Sequence, residues 1–502
     1  MKIFKIWLIF SIIFIISVIP LNATYACEEN NVREHNIYTM DDEYVYRLSE
    51  DGIEIIKINN YEDMYFDYRL DEYKMKNSKI YVYNNRLFIS GIENDEDKSY
   101  IKICVYDIYD KKNPIKMNDF KLEGYEYLFK YDDNGSIYLV IQQTESNIQI
   151  VSIDLNKTEV DLNIDCFEGG EINFIYLSEN DLYVICNDDM IDRYFTTIHK
   201  FNINRSEFKY INKISFDGII YNDKFIHKYD GNLRVLATCE NSKNKVYILD
   251  RDFTYVNFID VILDNKNINS VYFDGELCYI SGFLKDGYFS IYNLNYSNPN
   301  YMGSIKLTSS FNYIYKLSDD KFVVVGNEHR ADTYKNMQSD KVFEVIKNTG
   351  IKINLIDVSD KNSPKIFDEY FIKGKEAYLS EFLDEGKMLF SKDKNLLAFT
   401  LDMGDNSIDM DINTAMEVNS DILIPNCDKL FTGVYVFDLD DKEGIGLKFI
   451  IESNDNLFKD KSIEGISIHK DSIFIFSDDY FEVFDLDGKL LGEYTFKKEE
   501  TR

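Results

Sequence analysis

The stretch Ser472-Ile473-Phe474-Ile475-Phe476-Ser477-Asp478-Asp479-Tyr480-Phe481-Glu482-Val483-Phe484-Asp485-Leu486-Asp487-Gly488 holds two apolar runs, a polar turn between them, and a closing Asp followed by a Gly-containing turn. The run 473–476 lacks polar/apolar alternation, which marks a strand buried on both faces. Asp487-Gly488 suits a tight hairpin because Gly tolerates positive φ. With strands over 463–469 and 490–496 on either side, the stretch reads as four consecutive antiparallel strands. The strand-ending residue recurs as Asp107, Asp154, Asn202, Asp250, Asn293, Asp357, Asp438 and Asp485, with a weaker copy at Lys57. The steps between these positions are 50, 47, 48, 48, 43, 64, 81 and 47 residues. Four-strand units repeated at this spacing predict an all-β chain folded as a β-propeller of eight or nine four-stranded blades.

Repetition overrides the two-domain default that 502 residues would suggest, because modules touching only their neighbours build one large domain. The propeller is expected over 36–497, with a linker at 27–35 and a tail at 498–502. Pro114, Pro299 and Pro364 fall six or seven residues after the strand-ending Asp or Asn. That is the turn before each outer strand, where a missing N–H costs little. The recurring acid itself is expected to accept hydrogen bonds from the turn that follows it. Residues 1–26 read as a signal peptide: Lys2 and Lys5, an apolar run over 6–19, then a small-residue exit at Ala26. The run is short for a transmembrane helix. Cleavage after Ala26 would leave Cys27 first, so the chain is expected to be secreted or at the cell surface. Lipid anchoring at Cys27 is the alternative and the expected route to a membrane.

The formal net charge is −32, and loss of Lys2 and Lys5 makes the mature chain more acidic still. Such a surface repels phosphate backbones and excludes nucleic acid as a partner class. The single tryptophan, Trp7, lies in the signal, so Trp-dependent propeller motifs are absent from the mature chain. No nucleophile elbow, HExxH, P-loop or dinucleotide fingerprint is present. The five histidines fall in different modules, which argues against a histidine metal cluster. Cys104, Cys186 and Cys278 lie in apolar strand phrases and read as buried thiols. The cysteines show no CxxC and no regular spacing, so no disulfide framework is expected; a Cys186–Cys239 bridge between adjacent modules is the one candidate pairing.

The two long steps contain insertions at about 327–350 and 402–432, both between a module's second and third strands. Equivalent loops of a propeller leave the same face, so the insertions should stand side by side on one rim. The second carries Asp402, Asp405, Asp409, Asp411 and Glu417; the first carries His329 and Arg330. Carboxylates are hard ligands, so Ca²⁺ is the cofactor candidate at this rim, and no other cofactor is expected. An extracytoplasmic protein or a cationic ligand is the expected partner, and the chain is expected to be a monomer.

Four phrases resemble a known group when taken in order: 104–114, 229–238, 353–364 and 434–439. They are similar to secreted bacterial and archaeal proteins with a β-propeller domain distantly related to WD40 repeats. The resemblance implies export and the propeller fold, and brings no catalytic residue with it. The expected function is therefore a non-catalytic binding or scaffold module at the cell envelope, its partner held on the face with the long acidic loops. The competing expectations are a hydrolase or lyase with a site in the axial funnel, and a Ca²⁺-dependent surface protein. Intact-mass analysis of protein recovered from a secreting host should give residues 27–502 alone. An added lipid mass on Cys27 would identify the lipid-anchored form, retention of 1–26 on exported protein would identify a third option, an uncleaved signal serving as an anchor, and protein confined to the cytoplasm would remove the export reading.

Overall fold

A computed structural model describes residues 38–496 apart from 50–51, 71–74, 96–97, 191–192, 205–206, 240–242, 255, 262–266, 284–286, 336–341, 374–376, 379–384, 405–428, 453–462 and 478. The expected signal peptide, the expected linker and Cys27 lie outside the described residues. Nine antiparallel sheets follow one another along the chain and form nine blades of a propeller. They span 38–70, 76–123, 126–168, 171–217, 226–260, 267–307, 309–373, 377–452 and 463–495. Within eight of the blades the strands pair in sequence order; in blade 8 the first-strand position is split between Ala377–Tyr378 and Met388–Ser391, both paired with Leu396–Gly404. Of the eight-or-nine expectation, nine holds: the weak N-terminal copy at Lys57 is a full blade, with strands Tyr38–Met40, Tyr44–Ser49, Gly52–Asn60 and Asp63–Leu70.

The last blade matches its sequence reading almost strand for strand: Ile463–His469, Ser472–Ser477, Tyr480–Asp485 and Leu490–Thr495. Its second strand is buried throughout, as is Ser136–Gln142 in blade 3. Fourth strands alternate between exposed and partly buried residues, since one of their faces meets water. Pro114, Pro299 and Pro364 each stand directly before a fourth strand.

The recurring acids fix turns. Asp107, Asp154, Asn293 and Asp357 each accept from the backbone N–H two residues on, at 2.8–2.9 Å. Asp485 accepts from the N–H groups of Asp487 and Lys489, and Asp250 from that of Thr254. Hydrogen bonding by the Ser359 hydroxyl, then by Lys321, holds the Asp357 carboxyl down to about 2. Two positions depart from this role. In blade 8 the strand runs on past Asp438 to Asp440, which takes the turn N–H groups of Lys442 and Glu443 instead. In blade 4 the strand runs to Asn204, and Asn202 donates its amide across the sheet to Asn180 and Asp181.

Apolar clusters fill the seams between successive blades. The last cluster joins blade 9 to blade 1 through Tyr38, Val45, Ile56, Phe474, Phe476, Phe481, Val483 and Phe496. Among the described residues no strand pairing crosses this closing seam. Tyr38 stacks on Phe476 at 4.5 Å and donates its hydroxyl to the Ser477 carbonyl. The Arg47 guanidinium lies 3.9 Å over the Phe496 ring. Glu54, buried between Arg47 and Arg69 at 3.0 and 2.9 Å, fixes that cation. A Cβ at Gly492 would fall 1.6 Å from the Tyr61 carbonyl, so only glycine lets blade 9 approach blade 1 this closely.

Cys104, Cys186, Cys239 and Cys278 are free thiols, the first, second and fourth of them buried. The Cys186–Cys239 bridge is not formed; the Cys239 thiol instead reaches the Asp217 carbonyl at 3.2 Å. Phe481 is fully buried among Phe474, Phe476, Tyr494 and Phe496. Phe481→Ala should lower unfolding free energy by about 3–5 kcal/mol in urea titration. A loss below 1 kcal/mol would mean that the closing seam does not limit the stability of the ring.

Candidate functional site

Turns between second and third strands, together with blade-to-blade connections, leave one face of the ring. Turns between first and second and between third and fourth strands leave the other. The 327–350 insertion is on the first face, and it is not a loop. The second strand of blade 7 runs Lys321–Lys335 and its partner Val342–Asp357. Beyond a register shift at Glu328/His329 there are seven further cross-strand pairs, from His329 opposite Asn348 to Lys335 opposite Val342. At about 3.3 Å per residue, this arm carries the hairpin some 20 Å past the shift.

The base of the arm is pinned. Glu328 accepts from the hydroxyls of Thr308 (2.9 Å) and Ser309. The Nε2 atom of His329 lies 2.8 Å from the Ser310 hydroxyl, and burial pulls its pKa below the ordinary value. Arg330 is exposed, opposite Lys347. In blade 8, Asp402 lies on the second strand, opposite Tyr378 and Thr432. Asp405, Asp409, Asp411 and Glu417 lie outside the described residues. Among the described residues no three metal-ligating side chains gather into an ion site.

The axis carries a feature that the repeat did not predict. In blade 5, Ile219 bridges to Thr238 and Ile226 pairs with Val235. Seven positions of chain thus span what three span in the neighbouring strand. The surplus forms a 3-10 turn, Asp223–Phe225, capped by the Asn222 side chain. Asp223 pairs with Lys130 of blade 3 at 3.0 Å, and the Lys224 ammonium lies 5.9 Å from the Tyr313 ring of blade 7. Two adjacent residues therefore touch innermost strands on nearly opposite sides of a nine-blade ring, so this segment crosses the axis. Single-residue bulges mark the same level in other innermost strands, skipping Asn173, Asn269, Asn312 and Glu464. The Asn269 amide donates to Asn312 at 3.3 Å, and that of Asn173 to the Ile220 carbonyl at 3.0 Å.

On the opposite face, a cleft of about 390 Å³ opens in the seam between blades 4 and 5. Its charged wall is Glu179, Asp181, Lys200, Lys228, Arg251 and Asp252. The buried carboxylate of Asp181 meets Lys228 at 3.0 Å and Lys200 at 3.5 Å, and accepts from the Tyr183 hydroxyl and the Asn202 amide. Lys228 also pairs with Glu179 at 2.8 Å, and Lys200 donates to the Arg251 carbonyl at 2.7 Å. Burial alone would raise the Asp181 pKa; the hydrogen bond and charge of Lys228, then the charge of Lys200, outweigh it and hold the pKa below the usual range. Burial alone would lower Lys228, but its bonds to Glu179 and Asp181 leave it raised. Both shifts favour the ionised pair in the folded chain. The cluster is internally neutralised and clamps the seam. Sequence reading missed it because its members are scattered between positions 179 and 252 over two blades and none sits in a motif.

Asp181→Asn would leave the buried Lys200 without its carboxylate and Lys228 with Glu179 alone, and should cost about 3–5 kcal/mol at pH 7. The depressed carboxyl contributes stability above its unfolded pKa of about 3.9, and that contribution fades as pH falls through the lower folded value. The gap in Tm between wild type and Asp181→Asn should therefore be full at pH 6–8 and shrink below about pH 4. A gap that does not change with pH would refute the ionic account.

A family model described as a beta propeller domain matches residues 26–149 and 133–488. An uncharacterised protein of Methanocaldococcus jannaschii is 23% identical over 392 residues, covering 74% of this chain and 55% of its own length. A second uncharacterised protein, from Archaeoglobus fulgidus, is 27% identical over 170 residues, 34% of this chain and 24% of its own. The chain thus spans about half the length of the first relative and a quarter of the second. Among solved structures, Sqt1 of Chaetomium thermophilum aligns with a TM-score of 0.42 at 12% identity, over 80% of this chain and 92% of that one. The dihydro-heme d1 dehydrogenase NirN in complex with DHE aligns with a TM-score of 0.45 at 11% identity, over 82% and 74%. These likenesses are of fold. With nine blades in place and a family match running over most of its length, the chain belongs to the beta propeller domain family.

Proposed function

We propose that this protein is an exported, non-catalytic binding propeller whose partner engages the face bearing the blade 7 arm and the long insertion of blade 8. The observation that supports this most is the arm itself. Seven cross-strand pairs continue a hairpin beyond the level where its blade is registered with the first strand. A connection that merely joined two strands would need two to five residues. The insertion keeps β pairing and is anchored at its base by Glu328 and His329, which suits a presented surface. The acidic balance of the chain favours a partner with a basic surface, from the cell envelope, and makes the association sensitive to salt.

The axial reading of a hydrolase or lyase draws less support. The segment around Asp223 and Lys224 occupies the place where a funnel would have to deepen. No constellation of nucleophile, base and oxyanion donor converges on it among the described residues.

Replacing 329–348 with a two-residue turn removes the arm and leaves the rest of blade 7. The shortened protein should melt like the parent. It should lose the envelope protein that the parent retains at low salt and releases at high salt. Equal retention by both proteins would overturn the assignment of the binding face.

A further inference from the structure

One position breaks the chemistry of the repeat. Counting from the residue opposite the strand-ending Asp or its equivalent, the third residue of the second strand faces the next blade. It is aromatic in six blades, from Tyr46 in blade 1 to Phe474 in blade 9, and apolar in two more, Val323 and Ala398. In blade 5 it is Arg234, only 3% exposed. Register places His227 directly opposite, so both side chains leave the same face of the sheet, toward blade 6. His227 stacks on Phe273 of that blade at 5.3 Å.

The guanidinium donates through Nη1 to the Gly275 carbonyl, and its carbon lies 4.8 Å from the centroid of the Tyr229 ring. Its Nε is buried without a hydrogen-bond partner, and so is Nδ1 of His227. No carboxylate among the described residues forms an ion pair with Arg234. The acids whose charge it feels, Glu276 and Asp230, form no ion pair with it; Glu276 accepts from Asn295 at 3.3 Å, and Asp274, beside His227, pairs with Lys316 at 2.8 Å. A chain with 88 acids and 56 bases has carboxylates to spare, and a buried cation normally recruits one. Burial, then the neighbouring Arg234 charge, lowers the His227 pKa to about 4, so the imidazole is neutral at pH 7. Two buried nitrogens on facing positions of the sheet, one of them belonging to a cation, thus have no acceptor or donor of their own; the Gly275 carbonyl satisfies Nη1 alone.

We propose that Arg234 and His227 anchor a small-oxyanion site in the seam between blades 5 and 6, taking a carboxylate or phosphate group. The fork of the guanidinium matches either group geometrically. Entry would be from the turn face, past Tyr229, an exposed residue whose ring lies against the guanidinium. This site is on the face opposite the blade 7 arm and does not depend on the binding role proposed for that arm.

Acetate and inorganic phosphate are the probes, titrated at constant ionic strength with chloride as the balancing ion. Binding is followed by calorimetry and by the rise in Tm that selective binding to the folded state requires. Arg234→Tyr restores the aromatic residue that most other blades carry, so this variant should fold. Wild type should bind at least one probe saturably, and Arg234→Tyr should bind it about tenfold or more weakly. Response to acetate alone would assign the site to carboxylates, and response to phosphate alone to phosphate groups. Equal responses in wild type and variant, or none in either, would overturn the proposal. Should Arg234→Tyr fail to fold, Arg234→Lys serves in its place, since a point charge without the fork should also bind more weakly.

Discussion

Tyr38 lays its ring on Phe476 and gives its hydroxyl proton to the carbonyl of Ser477, 439 positions further along the chain. Every other seam of the ring joins blades that are neighbours in sequence. This one must bring the first blade to the last. A blade on its own exposes apolar side chains on both faces of its second and third strands; stacking covers the inner blades, but the outward faces of blades 1 and 9 stay bare until the ring is shut. Closing a loop this long has an entropic cost that grows only slowly with length, and a single well-packed aromatic seam can offset it. The buried Arg47–Glu54–Arg69 triad adds direction to that seam by holding one cation over Phe496.

Closure with nine wedges rather than fewer leaves a wider axis. The innermost strands answer with bulges and with the excursion of blade 5, whose Asp223 and Lys224 reach blades 3 and 7. A bulge turns a side chain out of the blade-to-blade seam, and here it puts polar amides such as Asn269 and Asn312 where strand edges would otherwise face an open channel. Departures from the repeat therefore fall into two kinds. Those at the axis fill space created by the blade count. Those at the rim, such as the blade 7 arm, project away from it.

Much of the fold was legible because burial on two faces leaves a direct mark in sequence. The run 473–476 could be placed as an inner strand without alignment, and Pro114, Pro299 and Pro364 marked the starts of fourth strands. The blade count was harder, since Lys57 replaces the usual acid and the copy around it is weak. The candidate sites were less legible. His329 and Arg330 fall in a stretch the sequence marks only by its length, and length does not reveal whether such a stretch pairs with itself; this one does. Asp181, Lys200 and Lys228 gave no signal, because each is an ordinary polar residue until the seam between two blades buries it.

The sequence by itself determined the repeat, the strand order within each blade and the turn-fixing role of most of the recurring acids. These are local: a strand's burial pattern and an Asp's bond to the N–H two residues on need no distant partner. Tertiary structure alone decided how many blades close the ring, what crosses the axis and which charges are paired. Those depend on which blade faces contact each other. Arg234 occupies a slot that six other blades fill with an aromatic ring, yet only the packing of blade 5 on blade 6 leaves its Nε buried without an acceptor.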